Sequence, residues 1–469
     1  MPDLVNETLQ PVLEHIEQNA QSAVERLQAL LRIPSVSTDP EFASEVNRCA
    51  EHLSKDLQSI GLESKVHKTK GHPMVVATDD SAGEDAPRVL YYGHYDVQPV
   101  QPLDEWHEDP FAANVVDGSA GKRIVARGAA DDKGQLMTFV EAIRSWKAVH
   151  GKLPVRVVML FEGEEECGSE SLEPFLHEHK QELLADTCIV CDTGMWDVST
   201  PAITSRLRGL VYIEATLHGP SHDLHSGGYG GGVVNPANAM TQILGQLHDD
   251  QGRVQIPHFY DDVDEITPEQ AAQWNALGDA DKLLLESSGA KATFGETGFT
   301  TLERLWARPT CDINGLYAGY TGSGAKTVIG ATATAKISCR LVASQKPQEV
   351  ENNLRAFLEE RTPVGCHWDI ASFGVNPAIS VPTDSPWLEA ASEALTQIFP
   401  NPAVLIGSGG SIPVVGSFQE ILGVDAVLVG FSLDDDLIHA PNEKFELSCF
   451  YNGILSHAAI LDRYASIQS

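Results

Sequence analysis

Val89-Leu90-Tyr91-Tyr92-Gly93-His94-Tyr95-Asp96 reads as a buried strand that ends in chemistry. Its apolar run delivers an imidazole and a carboxylate two residues apart, on one face of the chain. A carboxylate so placed can hold the second nitrogen of a metal-ligating histidine, fixing the tautomer and making the ligating nitrogen more basic. Alone, a His-x-Asp pair is more often a surface hydrogen bond, so its meaning depends on the rest of the chain. Four further segments repeat the construction. Residues 125–130 lead into Asp131-Asp132-Lys133-Gly134, and residues 155–161 run straight into Glu162-Gly163-Glu164-Glu165-Glu166. Residues 188–191 stop at Asp192, and residues 426–430 open a loop holding Asp434, Asp435, Asp436 and His439.

Short apolar, β-branched runs separated by helical patterns predict the buried strands of an α/β sheet. Ligands of such sheets collect outside the carboxyl ends of the strands, where all of these polar residues fall. Buried carboxylates without partners are costly, so a convergence of this kind calls for cations. His94, Asp131, Glu166, Asp192 and His439 make a mixed nitrogen and oxygen set suited to hard or borderline divalent metals, whereas structural zinc or iron-sulfur sites need paired thiolates. In isolation the acidic run 162–166 reads as a solvated loop, and only the strand before it argues otherwise. Asp434, Asp435 and Asp436 are read as solvated, and none is assigned as a ligand.

The chain has 469 residues, too many for one ordinary core, which predicts two domains. Its 42% hydrophobic content is ample to bury both. No apolar run approaches the roughly 18 residues of a membrane span. The first twenty residues are polar and acidic, with Leu9, Val12, Leu13 and Ile16 at helical spacing, and lack the basic start and apolar core of a secretory signal. Eight cysteines without a framework spacing fit a cytoplasmic protein; Cys188 and Cys191 bracket a buried strand and read as core thiols rather than a redox pair. Acidic residues outnumber basic ones 66 to 32, a formal charge of -34 that argues against nucleic acid or an anionic membrane as partner.

Between residues 206 and 380 the pattern changes. An alternating strand covers residues 210–217, a helix starts with Asn235 as cap and Pro236 in its first turn, and a long polar stretch occupies residues 255–300. The clearest strand follows: Ala331, Ala333, Ala335, Ile337, Cys339 and Leu341 alternate with polar residues, so one face packs and the other is wet. The block holds none of the proposed ligands, and strand-end acids flank it on both sides. It therefore reads as a domain of residues 206–380 inserted into one built from 1–205 and 381–469. The α/β pattern resumes with a helix capped by Ser385 and started by Pro386. The glycine-rich run 227–232 lacks the lysine and hydroxyl of a phosphate loop and reads as a turn.

Gly93-His94-Tyr95-Asp96-Val97-Gln98-Pro99, Arg127-Gly128-Ala129-Ala130-Asp131-Asp132-Lys133-Gly134, Glu165-Glu166-Cys167-Gly168-Ser169 and His439-Ala440-Pro441-Asn442-Glu443 resemble, in order and separation, the metallopeptidases that include aminoacylase, carboxypeptidase G and the carnosinase-type dipeptidases. With Gly409-Gly410-Ser411-Ile412-Pro413, the likeness is closest to the dipeptidase branch and covers nearly the whole chain. It implies a metal-dependent exopeptidase-like mixed sheet sandwiched by helices, with the insertion as a smaller α+β lid that also dimerises. It makes Asp131 the bridge between two divalent metals, with Glu166 and His439 on one and His94 and Asp192 on the other. Zinc suits these donors, and manganese or cobalt accept the same set. Asp96 then orients His94, and Glu165 becomes the general base acting on the water between the metals. The peptide from Asp131 to Asp132 is expected to be cis.

The resemblance also makes His225 an oxyanion stabiliser reaching the partner subunit's active site in a homodimer. Arg340 becomes the clamp on the substrate carboxylate, with Thr327 and Ser411 in support. By periodicity alone Arg340 is merely exposed on a strand and His225 merely sits in a polar turn. One departure stands out. Where dipeptidase relatives often carry an arginine and a glutamate before the Gly-Gly-Ser segment, this chain has Gly407 and Ser408, which bears on selectivity. The implied activity is dinuclear metal-dependent hydrolysis of the amide bond in small peptides, most simply dipeptides. The alternatives are an N-acyl amino acid deacylase or other amidohydrolase and, more remotely, a catalytically silent binding protein.

Overall fold

Four of the five apolar runs become neighbouring strands of one mixed sheet, whereas residues 126–130 form a loop after Gly121–Val125, a strand of a separate three-stranded sheet. The computed structural model describes residues 7–118, 121–410 and 412–467. In the sheet the strands lie in the order Glu63–His67, Met74–Asp79, Arg156–Glu162, Arg88–His94, Thr187–Val190, Ala426–Val429 and Ala202–Leu207. The four from Arg156–Glu162 to Ala426–Val429 are mutually parallel, with Tyr91 level with Met159 on one side and Ile189 on the other. Val89 to Tyr92, Val157 to Phe161 and Ile189 and Val190 are all fully buried. Burying each such large apolar side chain contributes roughly 1.5–3 kcal/mol, and continuous burial is what strands covered on both faces require. Parallel alignment has a direct consequence: the carboxyl ends of all four strands open on the same edge of the sheet.

Helices Ala43–Ser59, Lys133–His150 and Leu447–Tyr464 carry the apolar faces that meet these strands, with Leu53, Leu57, Phe139, Ile143, Ile454 and Ile460 buried. Helix Leu9–Gln18 forms at the spacing read from the sequence and buries Leu9, Val12 and Ile16. Helix Lys133–His150 starts directly after the Asp131-Asp132 peptide, which is cis. Gly134 lies in its first turn because any Cβ there would run into the Ala129 carbonyl oxygen. Lys133 is buried and donates to the Ile33 carbonyl at 2.7 Å, tying this turn to the end of a neighbouring helix.

The chain divides into two compact units, the first comprising Met1–Ser205, Val381–Ile406 and Val414–Ser469 and the second Arg206–Ser380 and Gly407–Pro413. The second contains a four-stranded antiparallel sheet ordered Thr310–Ala318, Thr332–Leu341, Gly209–His218 and His367–Asn376. Burial alternates along Thr332–Leu341. Its inner face packs with Val211, Ile213 and Leu217 against Met240, Ile243, Leu354 and Phe357 of helices Pro236–Leu244 and Pro347–Glu360. Asn235 caps the first of these, accepting the Ala237 N–H at 2.9 Å.

Two features were not read from the sequence. The polar stretch 255–300 holds helices Pro268–Asn275 and Ala280–Ser288, the first opened by a reciprocal capping box between Thr267 and Gln270. They escaped notice because Trp274 is the only buried residue of the first and the second has none, so neither shows an apolar stripe. The segment Gly407–Pro413, read with the first domain, belongs to the second unit. Gly410 accepts the Arg208 N–H at 3.1 Å, and Gly407 lies under Trp306. Gly407→Arg is expected to cost about 1–3 kcal/mol by overpacking, since a Cβ at this position would sit 2.5 Å from the Trp306 Cβ. Urea denaturation reads this, and an unchanged midpoint would contradict the packing.

Candidate metal centre

His94 ends its strand fully buried, Glu165 and Glu166 form a single turn just past Glu162, and Asp192 follows Val190. His439 lies in the loop beyond Ala426–Val429, with its backbone in the left-handed region at φ 63°. The ends of parallel strands thus deliver four of the five predicted ligands. The fifth, Asp131, comes from the loop after the strand Gly121–Val125.

Two groups have ligand atoms within 4.8 Å of one another: His94, Asp131 and Asp192, and Asp131, Glu166 and His439. Asp131 is common to both. Its Oδ1 lies 3.0 Å from His94 Nε2 and its Oδ2 lies 2.9 Å from His439 Nε2, so one oxygen faces each imidazole. His439 Nε2 is also 3.3 Å from Glu166 Oε2. His94 Nδ1 lies 3.1 Å from the Asp96 backbone carbonyl and 3.4 Å from its carboxylate, while the other Asp96 oxygen accepts the Glu166 N–H at 3.1 Å. Asp96 therefore touches a member of each group.

These contacts test whether cations fit. A histidine that donates from Nδ1 to a carbonyl has, when neutral, a lone pair on Nε2. In His94 that lone pair points at a carboxylate oxygen 3.0 Å away, a repulsive arrangement unless a positive charge lies between them. A proton could supply that charge, and so could a metal ion. The acids suit metal better: Asp131, Glu165, Glu166 and Asp192 crowd two imidazoles, and Glu166 Oε1 is buried with no hydrogen-bond partner among the described residues. Two divalent ions satisfy every donor in the set.

Electrostatics agree with the geometry. Burial pushes the Asp131 carboxyl up, but hydrogen bonds to His439 and His94 outweigh it and hold it below the usual carboxylate range. Burial, reinforced by the Asp131 charge, pushes Asp192 well above that range. Hydrogen bonds to Asp131 and Glu166 lift His439 to about 10. Burial alone would lower His94, yet hydrogen bonds to Asp131 and Asp96 and the Glu165 charge raise it well above the ordinary imidazole value. Glu165 stands outside both ligand groups. Burial raises its carboxyl to about 7, with His94 opposing and Glu166, Asp131 and Asp96 adding to the rise.

Several supporting residues went unread in the sequence. Asp132 accepts the His94 N–H at 3.1 Å, and Gln98 donates to Glu166 Oε2 at 2.7 Å. Both lie inside the quoted motifs, which was the available signal. Glu164 is buried and accepts from His72 N–H at 2.7 Å and Ser171 N–H at 3.0 Å, so it is a structural staple rather than a solvated acid. Asp436 also corrects the sequence reading: it is fully buried, pairs with Lys444 Nζ at 2.7 Å and accepts the Leu433 N–H at 2.7 Å. Asp434 and Asp435 are exposed as expected.

The remaining predicted residues belong to the second unit. His225 and Thr327 come together on a short ribbon in which Leu224–His225 pairs with Val328–Ile329. His225 is exposed, and its Nδ1 accepts the Gly227 N–H at 2.9 Å, which leaves Nε2 as the outward donor. Arg340 is half-buried on Thr332–Leu341, opposite Thr310 and Leu210. Arg208, which the sequence reading passed over, lies near enough that burial and the Arg340 charge pull it down to about 10. Ser411 lies outside the described residues.

A family model described as peptidase family M20/M25/M40 matches residues 90–463. The Cys-Gly metallodipeptidase dug1 of Schizosaccharomyces pombe is 30% identical over 474 residues, covering 98% of this chain and 99% of that protein. Among solved structures, human carnosine dipeptidase 1 gives a TM-score of 0.84 at 27% identity, covering 98% of this chain and 100% of its own. An M20 family metallo-carboxypeptidase, Sso-CP2 of Sulfolobus solfataricus, gives 0.81 at 32% identity, covering 95% and 99%.

Proposed function

The chain belongs to the M20/M25/M40 peptidase family, and on that premise we propose that it is a dinuclear metallodipeptidase in which Glu165 is the general base. The carrying observation is Asp131, with one oxygen toward His94 and the other toward His439. His94 and Asp192 would hold one ion, Glu166 and His439 the other, and Asp131 both, with zinc the metal best suited to these donors. When bound, two such ions polarise the scissile carbonyl and lower the pKa of a shared water.

The protein's own groups do the rest. Glu165 takes a proton from the attacking water and passes it to the leaving amine; a carboxyl brought near neutrality by burial can do both. Asp96 fixes the orientation of His94 and the position of Glu166. His225, with Nε2 free to donate, is suited to meet the developing oxyanion in the partner subunit of a homodimer. On the family resemblance, Arg340 clamps the substrate carboxylate through its guanidinium fork, with Thr327 and Ser411 as supporting contacts. The second unit is accordingly read as lid and dimerisation domain. The described residues contain no helix long and apolar enough to cross a membrane, and the cytoplasmic reading rests on eight cysteines scattered without a framework spacing.

Arg340→Ala should weaken kcat/KM for dipeptides with a free C-terminus by about 10- to 100-fold, the equivalent of losing one charged hydrogen-bonded pair. C-terminal amides should suffer far less, and equal losses on both would contradict the clamp. The second reading, an N-acyl amino acid hydrolase, is favoured by one feature: small, uncharged Gly407 and Ser408 beside the Gly-Gly-Ser turn. Metal-loaded protein assayed on Cys-Gly, β-Ala-His and a wider dipeptide panel, alongside acetylated amino acids, separates the two. The dipeptidase reading predicts hydrolysis of free dipeptides, and turnover confined to acetylated substrates would overturn it.

A further inference from the structure

Glu443 belongs to neither ligand group, yet it is fully buried and its carboxylate accepts four hydrogen bonds. Oε2 takes Arg127 Nη1 at 2.7 Å and the Gly128 N–H at 3.0 Å, while Oε1 takes the Ala130 N–H at 2.9 Å and the Asp131 N–H at 3.1 Å. Its own carbonyl accepts the Ala126 N–H at 3.1 Å. One side chain thus gathers the backbone of the loop that presents Asp131.

The same residue ends the loop that presents His439. That loop passes through the left-handed region at Leu437 (φ 56°), His439 (φ 63°) and Asn442 (φ 66°). Non-glycine residues hold such backbone only where their surroundings impose it. The surroundings are on either side of Glu443. Asn442 accepts the His107 N–H at 2.8 Å and donates to the Glu105 carbonyl at 2.9 Å, and Lys444 Nζ reaches Asp435 at 2.9 Å and Asp436 at 2.7 Å. The Lys444 contacts tie the two ends of the loop together and Asn442 ties it to residues 105–107; Glu443 alone among them fixes it to the Asp131 loop.

We infer that Glu443 is a positioning residue: it locks the loop 128–131 to the loop 437–443, and so sets where Asp131 stands relative to His439. This rests on the assignment of Asp131 and His439 as metal ligands. The chemistry requires a carboxylate. Each oxygen faces two donors, and a glutamine would turn its NH₂ toward one pair, donor against donor. An aspartate would keep the charge but fall short of both pairs.

The test uses the full chain, stripped of metal and titrated with zinc against a chromophoric chelator, together with steady-state kinetics on a dipeptide. Glu443→Gln should weaken zinc binding about 10- to 100-fold, as loss of a group supporting a ligand does. It should also lower kcat about tenfold or more at saturating zinc, with KM changed less than about threefold, the pattern of a misplaced catalytic constellation. Arg127→Gln breaks the same buried ion pair but leaves the amide bonds to Asp131. It should melt at lower temperature yet keep zinc affinity and kcat within about threefold of the parent. Parallel losses in the two variants would assign Glu443 to stability alone and overturn the proposal. Should Glu443→Gln not fold, Glu443→Asp carries the same expectations; parent-like zinc affinity and kcat in that variant, or its failure to fold as well, would overturn it. His439→Ala keeps the two readings apart. If it binds zinc like the parent, the ligand assignment fails; if it loses an ion while Glu443→Gln keeps both, only the role of Glu443 fails.

Discussion

Glu165→Gln keeps both metal ions and loses about 10²- to 10⁴-fold in kcat, the range expected for removal of a general base. Glutamine has nearly the shape of glutamate, and Glu165 contributes to neither ligand group, so the cations have no reason to leave. What disappears is an oxygen able to accept a proton. The position suits that task, because burial pushes the carboxyl above the usual carboxylate range. Metal content by elemental analysis and kcat on a dipeptide, measured on the same preparation, check the two halves together. Parent-like turnover would remove Glu165 from the mechanism, and loss of metal would make it a ligand.

Asp131→Asn should empty both sites, whereas His439→Ala should empty one. The asymmetry follows from geometry, since Asp131 offers one oxygen to each histidine and no other residue is shared by the two groups. An asparagine retains one oxygen and replaces the other with a donor that faces an imidazole. Metal-ion stabilisation is worth several kcal/mol in the transition state, so turnover should fall roughly a thousandfold or more. Zinc titration of the two variants checks the stoichiometry. If Asp131→Asn still bound two equivalents with parent affinity, the bridge would be lost from the account.

Much of this centre was legible because its proposed ligands sit where apolar runs stop. His94 ends a buried apolar strand, Glu166 and Asp192 follow theirs by four and two residues, and periodicity locates such strands well. Asp131 and His439 were harder: Asp131 follows a short strand outside the main sheet, and His439 stands well beyond its own strand, so residue type marked them as candidates and only the family motifs gave them roles. Periodicity does not see pairings between distant segments. Glu443 and Arg127 lie 316 positions apart, yet they form a fully buried ion pair. Asp436 and Glu164 looked like members of solvated acidic runs because their partners, Lys444 and the amides of His72 and Ser171, become neighbours only in the fold. Trp306 over Gly407 is the same case, with a small residue in one segment matched to a large one a hundred positions away.

The proposed activity depends on one step, activation of the attacking water by two cations gathered at Asp131. It is tested most directly by stripping the chain with a chelator and adding back divalent ion while following dipeptide hydrolysis and bound metal together. No turnover is expected without metal, with two equivalents bound per chain and activity restored as the sites fill. Undiminished hydrolysis by protein verified to be metal-free would contradict it.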